Sequence, residues 1–332
     1  MTVPYSKPYA TYAEQVTILR SRGFICADDA AAIELLKTVG YYRLSAYVYP
    51  FRELLPPGDQ QQQSPTHFRS EQIAPGTSLE MVAALWRFDR ELRLLVLDAI
   101  ETIEIGLRSR IASQLGKRDV FAHLRIGSLN DAACNKPARR RAQGVRTQHD
   151  EWLSHYNRAV RAAKEDFVRH NVHKYDQLPI WIALEVLTFG NTVALFNLMK
   201  QEDQTAIARE LGIKGGSLLA GWLETVNYVR NVAAHHARLW NRTTTLKVRR
   251  PKEPQVGPDL KHLASDVPTD KIYASLAVMA HLVSQLDPTS NWATRVRNHV
   301  QAFPLKTGMS PTVNMGFPGG WGALDLWRPS DE

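Results

Sequence analysis

Cysteine is nearly absent. The chain has two, Cys26 and Cys134, far apart in 332 residues. That excludes a disulfide framework and a cysteine-built zinc site. Long apolar runs are missing too. No stretch approaches the roughly 18 uninterrupted apolar residues that a membrane-crossing helix needs. The start, MTVPYSKPYATYAEQ, has no basic stretch followed by an apolar one, which argues against an export signal and leads to the expectation of a cytoplasmic protein. Strand patterning is scarce, with Thr243–Val248 as the one candidate. No internal repeat is visible. What remains is ordinary globular material, 44% apolar and 22% charged, enough for a sizeable core.

The charge is uneven. Lys+Arg 41 against Asp+Glu 33 gives +8 overall. Residues 1–116 are near neutral, with 12 basic and 13 acidic side chains. Residues 117–174 carry 13 basic against 6 acidic, together with 5 of the 11 histidines. Residues 225–252 carry 7 basic and no acidic side chains. Two basic segments in a near-neutral remainder are the footprint expected for a polyanion partner, against the plainer reading of a solvated face. Neither has the aromatic apolar face that an interfacial membrane helix requires.

Helical periodicity dominates, so the fold expected is all-α. Residues 11–22 and 28–39 read as short helices, and Tyr41–Tyr47 opens another after Gly40. Residues 56–77 are rich in Pro, Gly and Gln and read as a loop or linker. From Ser78 to Gly116, apolar residues recur at three- and four-residue steps from Leu79 to Leu115, which predicts one amphipathic helix of roughly 57 Å. Its polar face carries Glu101, Glu104 and Arg108, the last two in the favourable i,i+4 order. Residues 117–150 read as an irregular basic insert around Arg139-Arg140-Arg141. Helices are expected over 151–172, from Pro179 to a break at Phe189-Gly190-Asn191, and over 191–200, 203–211, 217–240, 269–286 and 291–302. The tail from Phe303, with Trp321 and Trp327, is too aromatic to stay unpacked. The organisation expected is an N-terminal helical region with its linker (1–76), a helical domain (77–302) and the tail (303–332).

Candidate chemistry concentrates in Tyr228–Arg242, YVRNVAAHHARLWNR. On a continuous helix, Asn231, His235, Arg238 and Arg242 share one face, while Trp222, Val226, Val229, Ala233 and Leu239/Trp240 line the other. Arg230 lies about 100° from Asn231. Imidazole exchanges protons near neutral pH, and guanidinium binds phosphate oxygens and stabilises charge on a pentavalent phosphorus. RNA brings its own 2′-hydroxyl nucleophile, so such a set needs neither metal nor cofactor. The bland alternative is a buried histidine pair with arginines reaching solvent.

Arg230-Asn231-Val232-Ala233-Ala234-His235 resembles the R-x4-6-H motif of HEPN ribonucleases. RNVAAHHARLWNR is similar to the signature of the Abi-like abortive-infection family, the AbiD/AbiF group. GYYRLSAYVYPF (40–51), WRFDRELRLLVLDAIETIEIGLRSRIA (86–112), PIWIALEVLTFGN (179–191) and MGFPGGW (315–321) carry the same likeness in order. The resemblance implies a HEPN-like helical bundle around the long helix, paired as a homodimer, and metal-independent RNA cleavage in phage defence, with a small noncoding RNA as a further partner. It assigns catalysis to Arg230, Asn231 and His235, with His236 as an alternative imidazole. Arg238 and Arg242 hold RNA. Arg139, Arg140, Arg141, Lys247, Arg249 and Arg250 contact phosphates, and Glu101, Glu104 and Arg108 support the catalytic arginine. A non-catalytic RNA-binding protein and a purely structural helical protein are the competing readings. Gly212–Ser217 lacks the order of a phosphate loop and reads as a turn. His170 and His173 lack a third metal ligand, and Tyr41, Tyr42 and Tyr47 read as core rather than base-stacking residues.

Overall fold

Side-chain caps set several of the early boundaries. The computed structural model describes residues 8–56, 58, 68–265, 267–304 and 309–328, without the side chains of residues 140–142. Thr11 and Glu14 close a capping box on α1 (Tyr12–Ser21), and the Asp28 carboxylate accepts the Ala30 and Ala31 N–H groups at the start of α2 (Asp29–Val39). Gly40, at φ 81°, turns the chain into α3 (Tyr41–Val48). The chain then forms β1 (Arg52–Leu54), antiparallel to β2 (Arg69–Ile73), and α4 (Leu79–Gly116), a helix of 38 residues.

Two compact units divide the chain, Met1–Glu91 with Gln301–Ser310, and Leu92–Val300 with Pro311–Glu332, so the division falls inside α4. The first unit buries Leu19, Leu36, Leu44, Phe51 and Val82. Its buried Asp89 accepts the Tyr47 hydroxyl at 2.6 Å, and Phe303 meets Phe88 edge-on at 4.9 Å.

The second unit adds α5 (Asp131–Cys134), β3 (Pro137–Ala142) paired antiparallel with β4 (Val145–Thr147), α6 (Gln148–Ala162), α7 (Asp166–Tyr175), α8 (Ile180–Ala183), α9 (Phe189–Leu198), α10 (Gln201–Glu210), α11 (Gly216–Ala234), α12 (Ile272–Leu286) and α13 (Trp292–Gln301). Every residue of α12 from Ile272 to Val283 is buried, the pattern of a helix enclosed on all sides. His281 on α12 bridges the Asp259 carboxylate (2.6 Å) and the Leu211 carbonyl (2.9 Å). Trp292 donates its indole N–H to the Leu95 carbonyl at 2.7 Å, tying α13 to α4. In the tail, Phe317 and Trp327 are buried against Tyr273.

The fold is mainly α-helical, and α4 falls where periodicity placed it. Several local expectations fail, and Tyr42, expected in the core, is 91% exposed. Residues 117–150 are not irregular throughout, because Gln143 and Gly144 (φ 77°) close the β3–β4 hairpin. Residues 56–77 include β2. Residues 151–172 are two helices, separated where Ala163 and Glu165 take extended backbone. Phe189-Gly190-Asn191 starts a helix rather than ending one, because the Thr188 hydroxyl accepts the Asn191 N–H. Thr243–Val248 forms no strand. Its Thr244 and Val248 N–H groups donate singly to the Asp270 and Thr269 carbonyls, without a ladder.

Candidate functional site

The candidate site is the C-terminal end of α11. Trp222, Val226, Val229 and Ala233 are buried, as their spacing predicts, which turns the polar side of the helix outward. The helix stops at Ala234, six residues short of the expected end. The Ala237 N–H reaches back to the Val232 carbonyl and the His236 N–H to the Ala233 carbonyl, both at 3.0 Å, which is a Schellman closure. His236 takes the left-handed position at φ 56°, usually held by glycine. No glycine or proline marks this stop. The chain turns away and buries Leu239 and Trp240.

The expected face of Asn231, His235, Arg238 and Arg242 is therefore not a single helix face, since Arg238 and Arg242 lie beyond the helix. Asn231, His235 and His236 are exposed, while Arg230 and Arg238 are half-buried. The Arg230 guanidinium donates to the Asn231 side-chain oxygen at 3.3 Å. Arg242 returns to the helix by another route. Its Nε donates to the Tyr228 hydroxyl at 3.1 Å, with the guanidinium 5.9 Å from the ring centre. Burial pushes the Tyr228 phenol up, but its hydrogen bonds with Arg242 and Thr245 outweigh that, and the net direction is down.

Tyr228 opens the candidate segment with no role assigned to it, although it lies seven residues before His235 and so on the same side of the helix. Glu224, four residues earlier, continues that line and accepts the Asn197 amide at 2.8 Å.

The residues expected in a supporting role lie on the polar face of α4. Glu104 and Arg108 form a half-buried ion pair, and Arg108 also donates to the Leu187 carbonyl. Burial raises the Glu104 carboxyl above its ordinary range, against the pull of the Arg108 and Arg230 guanidiniums. Arg230 thus feels a carboxylate on the neighbouring helix. Glu101 is exposed.

The remaining basic candidates scatter. Arg249 donates to the Ser217 carbonyl, at the opposite end of α11, about 27 Å along the axis from His235 at roughly 1.5 Å per residue. Arg250 donates to the carbonyls of Leu263, Ser265 and Val267. The Arg249 guanidinium thus meets the first turn of α11 and that of Arg250 the backbone of residues 263–267, while both residues are exposed. Lys247 is exposed, and so is Arg139 on β3. The side chains of Arg140 and Arg141 lie outside the described residues.

The family model described as Abi-like protein matches residues 34–241. The chain belongs to the Abi-like protein family. No curated protein and no solved structure matches it. The Abi-like match takes in Glu104, Arg108, Arg230, His235 and His236, and ends beside Arg242. Membership points to abortive-infection defence. No helix among the described residues of this Abi-like chain is long and apolar enough to cross a membrane.

The His236 backbone yields a direct test. An L-residue in the left-handed region costs about 1 kcal/mol, and glycine avoids that cost. His236→Gly and His236→Ala both remove the imidazole, so their difference isolates the strain. Urea unfolding is expected to show the glycine variant more stable than the alanine variant by about 1 kcal/mol.

Proposed function

We propose that this protein is a metal-independent endoribonuclease of the HEPN type, a toxin that acts on cytoplasmic RNA in abortive-infection defence. One observation carries the reading: an exposed His235 at a helix end, one turn after Arg230 and Asn231, with Arg242 folded back against the same helix. The RNA 2′-hydroxyl attacks the adjacent phosphorus and the bond to the 5′-oxygen breaks. The products are a 2′,3′-cyclic phosphate and a free 5′-hydroxyl. His235 takes the proton from the 2′-hydroxyl or delivers one to the leaving oxygen. Arg230 stabilises the charge on the pentavalent phosphorus, and Asn231 keeps the guanidinium oriented. Arg238 and Arg242 hold the strand. The second proton transfer needs a second group. His236 is one source, and a homodimer that brings two such helix ends into one cleft is the other.

The test is end-labelled single-stranded RNA incubated with the protein in excess chelator. The expected products carry 2′,3′-cyclic phosphate ends, and RNA with 2′-deoxy sugars throughout stays intact. Cutting that needs a divalent ion, or equal cutting of the deoxy strand, overturns the mechanism. RNA retained but never cut would instead support a non-catalytic protein working with a small noncoding RNA.

A further inference from the structure

A second polar site lies at the other end of the line that runs along α11 from His235 to Glu224. The Glu224 carboxylate accepts the amide of Asn197, and Asn197 is also a wall of a cavity of about 170 Å³. The other walls come from β3 (Arg139), α6 (Gln148, Glu151, His155) and α9 (Asn191). Glu224 precedes His235 by eleven residues, roughly 16 Å along the helix axis.

The chemistry of the lining is mixed. The Gln148 and Asn191 side chains each offer a donor and an acceptor, and the His155 ring offers one of each when neutral. With its amide N–H given to Glu224, the Asn197 oxygen is left as an acceptor. Glu151 is a carboxylate that accepts the Arg139 backbone N–H at 2.9 Å. A carboxylate in the wall repels a bare phosphate. Alternating donors and acceptors over an apolar floor suit the edge and face of a heterocycle instead. Trp152 and Leu198 supply that floor. Trp152 is rigidly held, its indole N–H on the Asn191 carbonyl at 3.0 Å and its ring stacked on Tyr156 at 5.4 Å with 5° between the planes. The exposed Arg139 guanidinium stands at the cavity, where a phosphate following the base would pass.

We infer that this cavity binds one unstacked base of the RNA strand, a few nucleotides from the bond placed at His235, and so selects where the strand is held. The inference rests on the RNA-cleaving reading of His235. It adds a reader to a site whose other contacts fall on phosphate and sugar, which position a strand without discriminating sequence.

The experiment uses a pool of random-sequence single-stranded RNA in excess chelator, with the full chain. Cut ends are sequenced, and in parallel so is the RNA retained by the protein on a filter. The wild type is expected to show a roughly tenfold preference for one base at one position near the cut. Asn191→Ala and His155→Ala flatten that preference, while total retention stays within roughly threefold and the melting temperature is kept. Arg139→Gln weakens retention of all sequences alike and shallows its salt dependence. RNA that is cut with no positional preference, or with one that both variants preserve, overturns the base site and leaves the nuclease reading standing, whereas RNA retained without preference and never cut overturns both. A preference that the variants flatten, in RNA that is retained but never cut, supports the base site and removes the nuclease. A pool neither cut nor retained removes both.

Discussion

A His235→Ala protein is expected to fold like its parent and to cut RNA roughly 10²- to 10⁴-fold more slowly in excess chelator. The stability half of that expectation follows from exposure. The His235 backbone N–H closes the helix on the Asn231 carbonyl at 3.0 Å, and alanine keeps that bond. The side chain is exposed, so its removal should change unfolding free energy by no more than about 0.5 kcal/mol. The rate half follows from the loss of a proton carrier for the sugar hydroxyl or the leaving oxygen. Arg230→Lys is the companion variant. It keeps the charge near Glu104 but loses the planar fork that matches two phosphate oxygens, and should lower the rate with little effect on RNA retention. Single-turnover cleavage with parallel urea melts separates the two halves. A His235→Ala rate equal to the parent's removes His235 from the chemistry. If His236→Ala is then the slow variant, the strained neighbour is the catalytic imidazole.

The helix carrying that histidine was legible where burial governs it and illegible where the chain leaves it. Val226, Val229 and Ala233 announce a buried stripe by spacing alone. The stop after Ala234 has no such sign. It is made by a histidine in a left-handed conformation and by the burial of Leu239 and Trp240, and neither is a local preference. Arg242 was assigned to the right face for the wrong reason, because Tyr228, not helix periodicity, brings it back. Arg249 and Arg250, expected at phosphates, are exposed and also donate to backbone carbonyls. A count cannot distinguish a guanidinium in solvent from one that caps backbone carbonyls. The β3–β4 hairpin was hidden because three successive arginines carry no alternation, leaving Gly144 as the turn signal. At α9, Gly190 reads as a breaker yet sits in the first turn, where a Cβ would come within 3.4 Å of the Asn227 side chain on α11. Length rescued α4, since a stripe kept from Leu79 to Leu115 leaves no competing period.

The largest pH effect on stability should come from a histidine outside the candidate site. His123 is fully buried, edge-on to Tyr156 at 5.3 Å and to Trp152 at 6.0 Å. Neither of its ring nitrogens has a hydrogen-bond partner among the described residues. Burial, and after it the neighbouring His149, push its pKa down to about 4 from 6.5. Between those two pH values the unfolded chain binds a proton that the folded chain refuses. Acid therefore favours unfolding across that window, and stability is lost as pH falls from about 6.5 to about 4. The difference of roughly 2.5 units corresponds to about 3 kcal/mol, fully present above the window. Urea titrations at pH 7 and pH 4 should show His123→Phe losing about 3 kcal/mol less than the parent over that interval. At pH 7 the variant should be at least as stable, because a phenyl ring fills the site without two orphaned polar atoms. The His123 carbonyl, which receives the His149 ring N–H at 3.1 Å, is unchanged by the substitution. Equal losses in the two proteins would mean that His123 takes up its proton inside the fold.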